Sequence, residues 1–160
     1  MNIRVGLGFD VHAFAKGRVL WLGGVRIEHP VGLLGHSDSD VLIHAICDAL
    51  LGAANLRDIG FHFPDSDNNY KDIDSKLLLQ ATMTMLRKAG YELGNIDSTI
   101  VCEQPKLNPY IPLMQHTLAN VIGVNEADIS IKATTSEKLG FTGRNEGIAV
   151  YATVLITKEG

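Results

Sequence analysis

The chain has no apolar run long enough to span a membrane, and it reaches Asp10 before a signal-like apolar core can develop. A cytoplasmic protein of a bacterium is expected, or one of a plastid-type organelle after removal of a transit peptide. Excess charge of one sign is also missing. The formal net charge is −4, with acidic and basic residues interspersed, so there is no basic surface to track a phosphate backbone, and nucleic acid is excluded as a partner. Cysteine is scarce: Cys47 and Cys102 are the only two, both in apolar contexts and without C-x-x-C spacing. They read as buried reduced thiols rather than as a disulfide or a metal site. The phosphate-loop pattern G-x-x-x-x-G-K-[ST] is absent, and Gly6-x-Gly8 lacks a third glycine and a following helix. Nucleotide folds built on those loops are therefore disfavoured.

What is present is a chain of 160 residues, 46% hydrophobic, enough for one domain over residues 1–160 with its own core and too little for two. Strands are expected near Ile3 to Val11 and Val19 to Ile27, the second bent or turned at Gly23-Gly24. A helix capped by Asp38 or Asp40 runs to about Ala54. A second, capped by Asp72 or Asp74, carries the stripe Leu77, Leu78, Ala81, Met85, Leu86 and closes with Lys88 and Gly90. A third spans Pro109 or Ile111 to Ile122, and strands follow near Ile96 to Glu103, Asp128 to Thr134 and Ile148 to Thr157. The order β-β-α-α-β-α-β-β does not alternate strictly, so the expected class is α+β, a mixed sheet with helices packed on one face. Apolar residues on both faces of the last strand, Ile148, Val150, Val154, Leu155 and Ile156, predict that another subunit covers the other face. The segment Asn55 to Lys71 shows neither period and is long for a connector.

Chemistry concentrates at Asp10-Val11-His12 and His44. On a strand, Asp10 and His12 leave the same face, and a helical His44 can bring a third ligand. Three nitrogen and oxygen ligands leave a tetrahedral position open, as catalytic zinc sites require. The plainer alternatives are a solvated strand end and a histidine paired with Asp40 and Asp48 along one helix stripe. In the metal reading Asp48 is a candidate partner fixing the ring tautomer of His44. The carboxylates of Asn55 to Lys71 could hold polyol hydroxyls or simply belong to a flexible acidic loop. Lys132 to Arg144 combines hydroxyls, Glu137, glycines and Arg144, which suits a phosphate with its divalent cation, or an ordinary polar turn.

Taken in order, the motifs Gly8-Phe9-Asp10-Val11-His12, His36-Ser37-Asp38 with His44, Asp58-Ile59-Gly60 with Phe63-Pro64-Asp65, Pro105-Lys106, and Lys132 through Arg144 resemble the 2-C-methyl-D-erythritol 2,4-cyclodiphosphate synthase family along essentially the whole chain. The resemblance implies conversion of 4-diphosphocytidyl-2-C-methyl-D-erythritol 2-phosphate to the cyclic diphosphate with release of CMP, a step of the non-mevalonate isoprenoid pathway. It implies Zn²⁺, or a similar transition metal, on Asp10, His12 and His44, and Mg²⁺ or Mn²⁺ on Glu137 with the substrate diphosphate. His36 and Thr135 would stabilise the transition state, with Ser37, Thr134 and Ser136 beside them. Asp58, Ile59 and Gly60 would hold the methylerythritol end, under a loop of Phe63, Pro64, Asp65, Ser66 and Asp67. Cys102, Glu103, Gln104, Pro105, Lys106, Leu107 and Asn108 would form the cytosine pocket. Family members resemble homotrimers with active sites between subunits, and Phe141 and Arg144 would lie near the threefold axis.

The chain departs from the family pattern at Ser39 and Asn145, where glycine is common, at Ser136, which replaces a threonine, and at Tyr151, where some relatives carry a carboxylate. Other readings of the same residues are a trimeric metal- and CMP-binding sensor without turnover, and a zinc-dependent phosphohydrolase.

Overall fold

Strict alternation in the first strand sets the layout. In the computed structural model, which describes residues 2–158, β1 (Asn2–Ala15) turns Gly6, Gly8, Asp10 and His12 inward and Ile3, Val5, Leu7, Phe9 and Val11 outward. It is followed by β2 (Leu20–Leu22) and β3 (Val25–Ile27), a hairpin turning through Gly23 and Gly24, both at positive φ as such two-residue turns require. Next come β4 (Gly32–Leu33), α1 (Val41–Ala53), α2 (Ile59–His62), α3 (Ser75–Lys88), β5 (Glu92–Val101), α4 (Ile111–Ile122), β6 (Ile129–Thr134), α5 (Gly140–Gly143) and β7 (Gly147–Lys158).

The main sheet has the order β4-β1-β7-β5-β6. β7 pairs antiparallel with β1 on one side and β5 on the other, while β5 and β6 are parallel. A parallel pair needs a crossover, and α4 supplies it. The fold is a single-domain α+β arrangement of a mixed sheet with helices on one face, as the element order predicted.

α1 is the central helix. Asp40 caps it, its carboxylate accepting from Ile43 N at 3.0 Å and, across the chain, from Gly23 N at 2.9 Å and Gly24 N at 2.7 Å. The same carboxylate thus starts the helix and pins the β2–β3 hairpin. Burial, with the neighbouring Asp38, pushes its pKa up, against the pull of these three N–H donors. Val41, Ile43, Cys47 and Leu51 are buried along with the expected apolar face, because α1 lies between the sheet (β1 and β7) and α3. Contact with β1 is close: a Cβ on Gly8 would sit 1.9 Å from Ala45 O, and one on Gly6 2.0 Å from Ala49 O. These glycines therefore serve helix-to-strand packing, which is the physical content of the Gly6-x-Gly8 pattern.

Two expectations need correction. Ile148, Val150, Val154 and Ile156 all face the helices and are buried; only Leu155 lies on the other side. Their even spacing makes them one face of a strand buried in the core, so they do not mark an uncovered surface. The uncovered apolar face exists, but β1 carries it: Val5 and Leu7 are 64% and 68% exposed, and Phe9 packs its ring 4.9 Å from Tyr151 of β7. The segment Asn55 to Lys71 is also not without structure. It contains α2 and a 3₁₀ turn at Asn68–Tyr70, both too short to show a period in the sequence. Among the described residues no helix is long and apolar enough to cross a membrane.

Candidate metal centre and substrate site

The inward face of β1 and the first turn of α1 meet at one point. Asp10 Oδ2, His12 Nε2 and His44 Nδ1 lie 3.0, 3.1 and 3.3 Å from one another. A tetrahedral zinc ion with ligand bonds near 2.0–2.1 Å has ligand-to-ligand edges of about 3.3 Å, so the three atoms already form one face of such a tetrahedron. His12 is oriented for the task, since its Nδ1 donates to Leu34 O at 2.6 Å and leaves Nε2 free as a ligand. Burial alone would raise the Asp10 carboxyl, but the hydrogen bonds and charges of His12 and His44 outweigh it and hold Asp10 well below the usual carboxylate range. Burial likewise opposes the charged form of His12, yet the hydrogen bond and charge of Asp10 raise it above its ordinary value. The donor set and its spacing fit a divalent transition metal.

Asp48 does not orient His44. Its carboxylate accepts from Ile59 N at 2.7 Å and so fixes α2 at the pocket edge, while burial pushes its pKa up. Asp40 is committed to its cap. The groups beside His44 Nε2 are instead Ser75 Oγ at 3.0 Å and Ser37 Oγ at 3.1 Å. Ser75, the first residue of α3, was not legible as a site residue, because a serine after Asp74 looks like ordinary helix-start chemistry.

The triad forms the floor of a cavity of about 210 Å³. His36 and Ser37 line it from the loop before α1, together with Gly35. Asp48, Ile59, Gly60, Phe63 and Asp65 line it from α1, α2 and the segment beyond, and Tyr70, Ile73 and Leu78, absent from the sequence-based set, complete it. Asp58 precedes α2 and does not itself line the cavity, though a Cβ on Gly60 would lie 3.2 Å from its Oδ2. Pro64, Ser66 and Asp67 do not line the cavity, and Asp67 caps the 3₁₀ turn through Asn69 N. His36 is tied down by Asp72 N, which donates to His36 O at 2.8 Å.

A second cavity, about 190 Å³, lies at the C-terminal ends of β5 and β6. Cys102, Pro105, Lys106, Leu107 and Asn108 line one side, and Ala133, Thr134 and Thr135 the other. Burial pushes the Cys102 thiol up to about 11, so it stays protonated at neutral pH. Glu103 and Gln104 are not part of the lining. Glu103 instead accepts from Ser136 N at 3.2 Å and Lys138 N at 3.1 Å, holding the loop where Glu137 and Lys138 both adopt positive φ. Glu137 Oε1 accepts from Thr135 Oγ1 at 3.3 Å. Phe141 and Arg144 belong to neither cavity, Arg144 being paired with Glu146 at 2.7 Å. Ser39 and Asn145, the two departures from glycine, both stand at positive φ, where glycine is the easier residue. Among the described residues none lines both cavities, so one subunit does not bring His36 and Thr135 into one pocket.

The sequence model of the YgbB family matches residues 3–157. The chain belongs to the YgbB family. It is 71% identical over 160 residues to the 2-C-methyl-D-erythritol 2,4-cyclodiphosphate synthase of Parabacteroides distasonis, covering 100% of this chain and 99% of that one. To the synthase of Bacteroides thetaiotaomicron it is 65% identical over 159 residues, 99% of this chain and 100% of that one. The YgbB fold seen here is similar to the bifunctional IspDF from Campylobacter jejuni, with TM-score 0.95 and 45% identity over 99% of this chain and 43% of that longer one. It is also similar to the Plasmodium falciparum IspF CDP complex, with TM-score 0.87 and 32% identity over 99% of this chain and 98% of that one.

Proposed function

We propose that the chain converts 4-diphosphocytidyl-2-C-methyl-D-erythritol 2-phosphate into 2-C-methyl-D-erythritol 2,4-cyclodiphosphate and CMP, as an isoprenoid-pathway synthase. The observation that carries this reading is the Asp10, His12, His44 face at the floor of a cavity, in a chain similar to these synthases from end to end. An oxygen of the substrate's 2-phosphate attacks the β-phosphorus, and the bond from that phosphorus to the bridging oxygen breaks. CMP departs with the electron pair, and no water is consumed. The nucleophile is already ionised near neutral pH, so no general base is required, and folding the flexible substrate into line is the larger task.

Zn²⁺ or a similar divalent metal on Asp10, His12 and His44 would supply Lewis-acid polarisation of a phosphate oxygen, and Mg²⁺ or Mn²⁺ on Glu137 would offset diphosphate charge. His36 and Ser37, on a loop anchored to Asp72, offer donors to the phosphates, and Thr135 with Thr134 and Ser136 offers hydroxyls on the opposing side. Asp58, Ile59 and Gly60 receive the polyol hydroxyls, and the segment Phe63 to Asp67 excludes water from that end. The groove of Cys102, Pro105, Lys106, Leu107 and Asn108 takes the cytosine, with Glu103 and Gln104 supporting its wall.

The separation of the two cavities supports a homotrimer in which each active site joins the metal half of one subunit to the cytosine half of the next. The apolar outward face of β1, with Tyr151, is the surface such an assembly would cover, with Phe141 and Arg144 toward the axis. The curated relatives named above are bacterial, which favours the bacterial cytoplasm over a plastid. Residues 1–160 then act as one synthase domain.

The test is release of CMP from the diphosphocytidyl substrate with zinc and Mg²⁺, with and without chelator, and a mass for the product. Chelator-sensitive CMP release with a cyclic product is expected, and His44→Ala is expected to lose zinc and activity while remaining folded. A product one water heavier indicates a phosphohydrolase, and CMP binding without turnover indicates a sensor; either result overturns the proposal.

A further inference from the structure

We propose that Ser75, held by Asp38, is a positioning residue that fixes the His44 ring for metal binding. This rests on the metal-centre reading above. Ser75 Oγ donates its single proton to Asp38 Oδ1, and Ser75 N donates to Asp38 Oδ2 at 3.0 Å. An ionised carboxylate only accepts, so the Ser75 proton is committed to it. Toward His44 Nε2, 3.0 Å away, Ser75 can then only accept. Nε2 thereby keeps its ring proton, so that with a metal bound the lone pair is left on Nδ1, the atom 3.1 Å from Asp10 Oδ2 and 3.3 Å from His12 Nε2.

Ser37 cannot make this choice. Its Oγ lies 3.1 Å from the same nitrogen and accepts from Ser39 N at 3.0 Å, which leaves its own proton free to point either way. Ser75 is also fully buried, so water cannot substitute for its hydroxyl. The negative charge of Asp38 polarises the serine, strengthens its acceptance from Nε2–H and raises the donor power of Nδ1. Metal-bound histidines commonly bond a carboxylate directly; here a serine is interposed. The chain also crosses elements: Asp38 precedes α1, Ser75 opens α3, and Asp38 N donates to Ile73 O at 3.1 Å. Placement of His44 therefore depends on how the start of α3 is seated against the loop carrying His36 and Ser37.

The experiment uses full-length protein stripped of metal. Zinc affinity is measured by competition with a chromophoric chelator, and the bands of the cobalt(II)-loaded protein are recorded. Ser75→Ala is expected to bind zinc about 10- to 100-fold more weakly and to shift the cobalt bands of the folded protein; the buried partners left unpaired also lower the unfolding midpoint, so the bands carry the distinction. Ser75→Thr, which keeps the hydroxyl, is expected to restore affinity and bands. Asp38→Asn is expected to weaken binding about tenfold, and it carries the test from the outer end of the chain should Ser75→Ala fail to fold. A merely structural role would lower the unfolding midpoint and leave the cobalt bands of the folded protein in place. Zinc affinity of Ser75→Ala or Asp38→Asn within about threefold of the unsubstituted chain, with unchanged bands, overturns the proposal. Failure of the unsubstituted chain to hold zinc overturns the metal-centre reading itself, so the two failures are distinguishable.

Discussion

At the scale of the residue, the proposed metal centre would make opposite demands on the metal-free and loaded protein. His12 has its pKa raised in the fold by Asp10, and Asp10 has its pKa lowered by His12 and His44. A raised histidine adds stability that is complete below the unfolded value and fades as pH climbs through the folded one. A lowered carboxyl adds stability that is present above its unfolded value and is lost on acidification. Together they favour the metal-free fold most between about pH 4 and 6.5. Zinc bound there would reverse the slope, because it needs a neutral His12 and competes better as protons become scarce. The unfolding midpoint of chelated protein should therefore fall, or stay flat, from about pH 5.5 to 7.5, while that of zinc-saturated protein should rise. Scanning fluorimetry across that range checks it, and parallel rising profiles would show that the protonated pair does not form. These two residues were legible because a strand puts alternate side chains on one face. Ser75 was not, since its role is set by where α3 lands, and no local spacing records that.

At the scale of the element, the position of His44 depends on how closely α1 approaches β1. Gly8→Ala places a Cβ 1.9 Å from Ala45 O and 2.7 Å from Ala49 N, both backbone atoms of a helix whose residues are buried except at His44, Asp48 and Gly52. Neither can yield without moving α1. The expected cost is about 3 kcal/mol, a fall in the unfolding midpoint on the order of 10 °C. Zinc affinity should fall with it, because His44 moves with the helix. Denaturant titration and chelator competition on the same variant measure both, and a variant within about 0.5 kcal/mol of the parent would remove the close contact from the account. The long helices were legible from their 3.6-residue period and their caps, and the long strands from alternation. The short elements were not. α2 owes its turn to Asp48 accepting from Ile59 N, a contact between two segments, and β4 exists only because Phe14 and Ala15 pass beside it. The last strand departs from expectation for a related reason: apolar residues at every second position identify a buried face, while the apolar surface left uncovered sits on β1, where it alternates with glycines and the candidate ligands Asp10 and His12.

At the scale of the whole molecule, the two cavities with no shared residue make a quantitative test of assembly possible. If each active site joins the metal half of one subunit to the cytosine half of its neighbour, two inactive variants damaged in different halves should rescue each other. His44→Ala removes a ligand from the first half, and Glu137→Ala disables the loop beside the second, which Glu103 holds in place. In randomly co-assembled trimers, a site is intact when its metal half comes from a Glu137→Ala chain and its facing half from a His44→Ala chain. Each condition is met half the time, so about a quarter of sites are restored. Co-expressed and co-purified chains should then recover about a quarter of the parent CMP-release rate, while each variant alone stays near background. Sedimentation of the same sample should give the mass of three chains. A site built within one subunit predicts no recovery at any mixing ratio, because every chain would carry one broken half. Polar substitution on the outward face of β1, such as Leu7→Lys, should abolish the recovery by dispersing the assembly while sparing the inward face that holds Asp10 and His12. Loss of recovery with the trimer mass intact would separate the apolar face from the interface and leave assembly to another surface.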